Sequence, residues 1–270
     1  MLQETTDYTK FEDKKVYYEM AGEGSPLVFM HAGIVDSQMW DNQWFEFRKH
    51  YTVIRYDLLG FGKSDPLEEP VSRRQELYRV LEATGIKRAI LVGCSLSGET
   101  ILDVALDHPE LVSGLVVVSA VPGGFEMQGE PPQDLLDMMA ALEQGDRDLA
   151  TEHQMRLSID GPYRQPEQVD ILVRERAAEM NRKALAKDTK GLNLAPPPDP
   201  LDPSAAQQLD QIKAPTLIIS GELDNPEILR AADVMAGTIP GAQKAIIPGS
   251  AHLPNMERPA EFNRVVLDFL

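Results

Sequence analysis

An apolar run that ends on a glycine, turns at a serine and restarts as a helix limits this chain more than any other feature. It reads Ala89-Ile90-Leu91-Val92-Gly93-Cys94-Ser95-Leu96-Ser97-Gly98. A strand that reverses into a helix within so few residues crowds its own flanks, so those positions must be small. Gly93, Ser97 and Gly98 meet that need. The turn lifts the Ser95 hydroxyl above the sheet edge and aims the start of the following helix at the same place. Unpaired N–H groups and the helix dipole there favour negative charge, so a nucleophile and a seat for an oxyanion arise together. The usual spacing is G-x-S-x-G; here Ser97 replaces the second glycine and adds only a hydroxymethyl group.

Strand-patterned runs at residues 16–21, 27–31, 52–57, 90–93, 115–120, 216–221 and 244–247 alternate with helix-patterned runs at 72–84, 96–107, 226–237 and 259–270. This alternation predicts an α/β fold, a mainly parallel doubly wound sheet covered on both faces. Pro226 and Pro259 stand where a first helical turn tolerates proline. The rhythm fails between residues 123 and 204, where helical stretches at 134–143, 147–158 and 167–185 are rich in methionine and charge. A proline-rich segment, 195–203, closes the interval as a stiff linker. Residues 1–122 and 205–270 are therefore read as a core domain, and 123–204 as a helical cap inserted into it. Phe125, Met127, Met138, Met139 and Met155 are expected either to line a pocket under the cap or to form its own core.

The formal net charge of −17 argues against nucleic acid and anionic membrane surfaces as partners. Cys94, the single cysteine, excludes an internal disulfide and fits a reducing compartment. The polar, acidic N-terminus does not read as a signal peptide, and no stretch approaches the ~20 apolar residues of a membrane span. A cytoplasmic location is expected. No metal-ligand spacing or nucleotide fingerprint stands out, so neither metal nor cofactor is expected.

A serine hydroxyl needs a base, and the base needs an orienting acid. Among five histidines, His252 follows a strand in a loop bounded by glycine and prolines, Pro248-Gly249-Ser250-Ala251-His252-Leu253-Pro254. His31 ends a strand and fits better as a brace for the next loop. Asp224, just beyond the strand 216–221, is the preferred acid, with Glu222 its close rival. Each member of Ser95, Asp224 and His252 follows its own strand, at the edge where open α/β sheets gather functional groups. The oxyanion donors are expected to be the N–H groups of Leu96, directly after the serine, and Gly33, in the loop after 27–31.

These residues together resemble the α/β-hydrolase superfamily over nearly the whole chain. His31-Ala32-Gly33 resembles the family's HG-x loop, with alanine for its first glycine. Residues 55–65 resemble its D-x-x-G-x-G-x-S segment, which makes Asp57 a turn-former, and Trp40-Asp41-Asn42-Gln43 fits a further family slot. The tail from His252 to Pro259 resembles the histidine segment of cofactor-free esterases and enol-lactonases. The resemblance implies a carboxylic ester hydrolase working through Ser95, His252 and Asp224 and an acyl-enzyme, on a small ester or lactone. A lactonase of the 3-oxoadipate enol-lactonase kind is the nearest alternative. A C–C bond hydrolase, a perhydrolase or a non-catalytic receptor on the same fold lies further off.

Overall fold

Strands with both faces covered carry almost continuous apolar sequence, and four such strands form the centre of this molecule. The computed structural model describes residues 4–193 and 195–270. Its strands are β1 (Glu4–Phe11), β2 (Lys14–Ala21), β3 (Pro26–Met30), β4 (Thr52–Tyr56), β5 (Ala89–Cys94), β6 (Val112–Val118), β7 (Thr216–Gly221) and β8 (Gln243–Ile247). They form an eight-stranded sheet in the order β1-β2-β4-β3-β5-β6-β7-β8. The β1/β2 and β2/β4 pairs are antiparallel and the rest are parallel. The helices are α1 (Asp41–Phe47), α2 (Arg73–Thr84), α3 (Leu96–Asp107), α4 (Gln133–Glu143), α5 (Arg147–Met155), α6 (Ile171–Lys187), α7 (Pro226–Thr238), α8 (Pro254–Glu257) and α9 (Pro259–Phe269). No helix among the described residues is long and apolar enough to cross a membrane.

Period-two alternation divides the strand side chains between two cores. Val28, Met30, Leu91 and Val117 face α2, α3 and α7, packing with Leu77, Ile101 and Met235. Leu27, Phe29, Val92 and Val116 face the other way, onto Trp40, Trp44, Phe47 and Phe262 around α1 and α9. The helical interval α4–α6 lies between β6 and β7. Met155, Ile159, Ala177, Ala178 and Met180 from that interval pack into the second cluster. Only Met138, Ala141 and Ala150 make a small cluster apart. The inserted helices thus share the sheet's packing.

Several boundaries differ from the sequence reading for local reasons. β1, unmarked by apolar pattern, is an edge strand paired along its length with β2. The strand expected at 115–120 is shifted to Val112–Val118. α5 stops at Met155 and widens into a π-helical turn, Arg156–Asp160, that ends at Gly161. α6 begins at Ile171 because the Asp170 side chain accepts from the Leu172 N–H, while Pro166–Gln168 form a separate short turn.

Candidate active site

The turn after β5 holds Ser95 at φ 54°, ψ −117°, a left-handed conformation that serine adopts at a cost of about 1–3 kcal/mol. Its neighbours explain how the strain is held. A Cβ at Gly93 would stand 2.6 Å from the Ser97 carbonyl carbon and 2.9 Å from the Gly98 nitrogen, and one at Gly98 would overlap the Ala120 side chain. Strand and helix can approach this closely only without those two side chains. Ser97 is fully buried, and its hydroxyl donates to the His31 carbonyl at 2.6 Å. The residue that departs from the usual spacing therefore ties the elbow to the loop after β3.

That loop carries Gly33. A Cβ on Gly33 would lie 3.0 Å from Leu96 Cδ2, so the two expected oxyanion-donor residues stand side by side. The Asn181 side-chain amide, from α6, donates to the Ile34 carbonyl at 3.0 Å and fixes the loop from above. His31 braces it from below. The Leu58 N–H donates to His31 Nε2 at 2.9 Å, so the ring proton sits on Nδ1 and is given to the Ala32 carbonyl at 2.8 Å. Burial pushes the His31 pKa down to about 4, and the ring stays neutral. Asp57 is likewise structural, since its carboxylate accepts from the Ser37 and Lys63 N–H groups.

The loops after β7 and β8 bring the other two candidates together. Leu223 N–H donates to the Ser250 carbonyl at 2.8 Å, locking one loop on the other. His252 Nδ1 lies 3.1 and 3.2 Å from the two Asp224 oxygens. Asp224 is 1% exposed. Its rival Glu222 turns away and accepts from the Gly249 N–H at 2.9 Å. Burial of the His252 ring disfavours its cation, but the Asp224 charge and hydrogen bond, with a smaller push from Glu257, prevail and raise its pKa. The His252 carbonyl is 3.8 Å from the sulfur of Cys94, the residue before Ser95. Among the described residues, Ser95 Oγ and His252 share no hydrogen bond in this arrangement. Cys94 itself is fully buried, and burial together with the Asp224 charge drives its thiol pKa well up.

A cavity of about 510 Å³ opens between the Gly33–Ile34 loop and the inserted helices, well within the range of small-ligand sites. Leu135, Met138, Met139 and Leu142 give it an apolar wall, and Gln154 and Asn181 are among its polar groups. Of the side chains expected to line a pocket, Met138 and Met139 do so. Met155 is instead part of the sheet's packing, Met127 is 56% exposed, and Phe125 lies under the Arg230 guanidinium.

The family model for the alpha/beta hydrolase fold matches residues 25–259. The chain belongs to this family. A 2-hydroxy-6-oxononadienedioate/2-hydroxy-6-oxononatrienedioate hydrolase of Comamonas testosteroni is 26% identical, over 95% of this chain and 91% of that protein. A pimeloyl-[acyl-carrier protein] methyl ester esterase of Yersinia enterocolitica is 27% identical, over 95% of this chain and 97% of the other. A solved N-acyl homoserine lactone degrading enzyme superposes with a TM-score of 0.79 at 26% identity, covering 98% of this chain and all of that one. The protein is thus a hydrolase of the alpha/beta fold, with relatives named as an oxo-diacid hydrolase, a methyl ester esterase and a lactone-degrading enzyme.

Two contributors escaped the sequence reading. Asn181 carried no signal, since its role depends on a contact with Ile34 far away in the chain. Glu257 lies in the tail quoted for its resemblance, but nothing in that string announced that its carboxylate would accept from the Ala251 N–H.

Proposed function

We propose that this protein is a serine hydrolase of small, uncharged carboxylic esters, with residues 123–204 acting as the cap over its acyl site. His252 takes the Ser95 proton on Nε2 as Oγ adds to the ester carbonyl carbon. The carbonyl π electrons move to oxygen, and the Gly33 and Leu96 N–H groups receive the oxyanion. Asp224 keeps the Nδ1 proton in place and stabilises the imidazolium. The imidazolium then protonates the departing alcohol as the C–O bond breaks, leaving an acyl-serine. Water, deprotonated by His252, repeats the sequence and returns the free serine and a carboxylic acid. The hydrogen bond from Ser95 to the base, not made in this arrangement, forms when substrate occupies the site, as such contacts commonly do.

The observation that carries this reading is the Asp224–His252 pair, at 3.1 Å, set beside the end of the strained Ser95 elbow. The cavity favours an uncharged substrate. Its lining is largely apolar, and among the described residues it holds one cation, Arg147, and one anion, Asp188, a poor match for the two carboxylates in the Comamonas relative's substrate name. A lactone is the second reading, favoured by the likeness to the lactone-degrading enzyme, since a ring ester opens by the same steps. Labelling with a fluorophosphonate, followed by peptide mapping, tests the nucleophile. Modification of Ser95 is expected, and an unlabelled protein sinks the reading and leaves a non-catalytic role. A panel of p-nitrophenyl esters, lactones and dienoic diacids then ranks the substrate classes.

A further inference from the structure

The imidazole of His252 is held by more than Asp224. The backbone N–H of His252 donates to the Ser158 carbonyl, in the π-helical turn of the inserted segment, at 3.1 Å. Directly beneath, the Arg164 guanidinium gathers four oxygens. Its Nε donates to the Asp160 carbonyl at 2.9 Å, Nη1 to the Gly249 carbonyl at 3.2 Å and Nη2 to the Ile159 carbonyl, and Nη2 forms an ion pair with Glu257 Oε2 at 2.8 Å. Glu257 Oε1 in turn accepts from the Ala251 N–H at 2.7 Å. The Arg164 and Glu257 side chains are only 10% and 4% exposed. Gly161 closes the turn tightly, because a Cβ there would stand 2.5 Å from the Leu223 carbonyl oxygen and 3.0 Å from the Ala251 Cβ.

We propose that Arg164 and Glu257 are positioning residues, a buried strut through which the inserted helices fix the backbone on either side of His252 and so set where its imidazole stands relative to Ser95. This rests on the serine-hydrolase reading for its kinetic consequence. The geometry is specific to the forked guanidinium, because a lysine ammonium presents one point charge and cannot span acceptors on two loops in a plane. Glu257 also contributes a negative charge that favours the imidazolium. Its own carboxyl is raised to about 7, chiefly by burial, against the pull of Arg164, the Ala251 N–H and Arg258. The charged groups that bear on this corner are thus Asp224, Arg164, Arg258 and Glu257.

Three variants test the strut, by turnover of p-nitrophenyl butyrate and by the rate of fluorophosphonate labelling. Arg164→Met and Glu257→Ala are expected to lower kcat and the labelling rate about 10–100-fold while changing KM less than about threefold, as loss of a supporting contact does. Glu257→Gln keeps an acceptor for Ala251 but not the charge. It is expected to lose about 3–10-fold and to move the acid limb of kcat/KM to lower pH, because the imidazolium loses a stabilising charge. An NMR titration of the His252 ring should move the same way. Native kcat and an unmoved titration in both Glu257 variants would overturn the proposal, as would a loss confined to KM. If Arg164→Met fails to fold, by near-ultraviolet circular dichroism, the Glu257 pair decides. If the native protein is not labelled at Ser95, the serine reading fails, and the His252 titration still judges the strut.

Discussion

Two walls, the β7–β8 loops around His252 and the α4 side of the cavity over the Gly33–Ile34 loop, are built on opposite principles. On the side of β7 and β8, Asp224 holds the His252 ring, the Ser158 carbonyl accepts from its backbone N–H, and Glu257 accepts from the N–H before it. On the side of α4, the wall is Leu135, Met138, Met139 and Leu142, of which Met139 is 52% and Leu142 36% exposed. Methionine is unbranched and adapts its shape, so this wall can yield. Hydrogen-bonded carbonyls and carboxylates cannot do so without leaving a buried polar atom alone. On the function proposed above, fixed geometry serves bond breaking and soft packing serves the choice of what is broken.

That division is broken most directly at the rigid wall. Ser95→Ala should lower kcat by about 10⁴–10⁶-fold, read with a p-nitrophenyl ester under burst-free conditions. Asp224→Asn should cost about 10³–10⁴-fold by releasing the wrong ring tautomer, whereas Glu222→Gln should cost less than about threefold. Equal losses at the two acids would show that their hydrogen-bond partners do not distinguish them. Ser97→Ala should be milder, about 10-fold in kcat, with about 1–3 kcal/mol of stability lost in urea melts, because the His31 carbonyl loses its donor. The acid limb of kcat/KM should fall above pH ~6.5, the ordinary histidine value. The working base is the neutral ring, and Asp224 raises its pKa, so activity disappears as pH drops through that raised value. At the soft wall the smallest effect is expected. Met139→Ala should change kcat/KM about two- to fivefold between short and long acyl esters, roughly one methylene's worth of contact, with little change in melting temperature. A large, chain-independent loss there would erase the distinction between the walls.

How much of this was legible in the sequence follows the same line. The central strands were visible because burial on both faces leaves an unbroken apolar string, as in residues 90–93 and 216–221. Strand β1 was not, because its burial alternates between exposed and half-buried positions and its stability comes from pairing with β2. Gly93, Ser95 and Gly98 announced the elbow through local crowding, and local crowding is written in neighbouring residues. Asp224 and His252 could be chosen because each follows a strand end, and the structure pairs them directly. The division of the methionines was hidden. Met138 and Met155 are equally apolar, and only the path of the chain sends one to the cavity and the other to the sheet. The Arg164–Glu257 pair was hidden for the same reason, since the two residues lie far apart in the chain and each is an ordinary charged residue in its own segment.

The single thiol offers a practical opening. Cys94 is sealed behind Ser95 and reluctant to ionise, so alkylating dyes should pass it by in the folded molecule. A cysteine introduced on the outer face of α4 would then be the one position to take up a fluorophore. Motions of the inserted helices could be followed by single-site spectroscopy in a background where the native residue never needs to be removed.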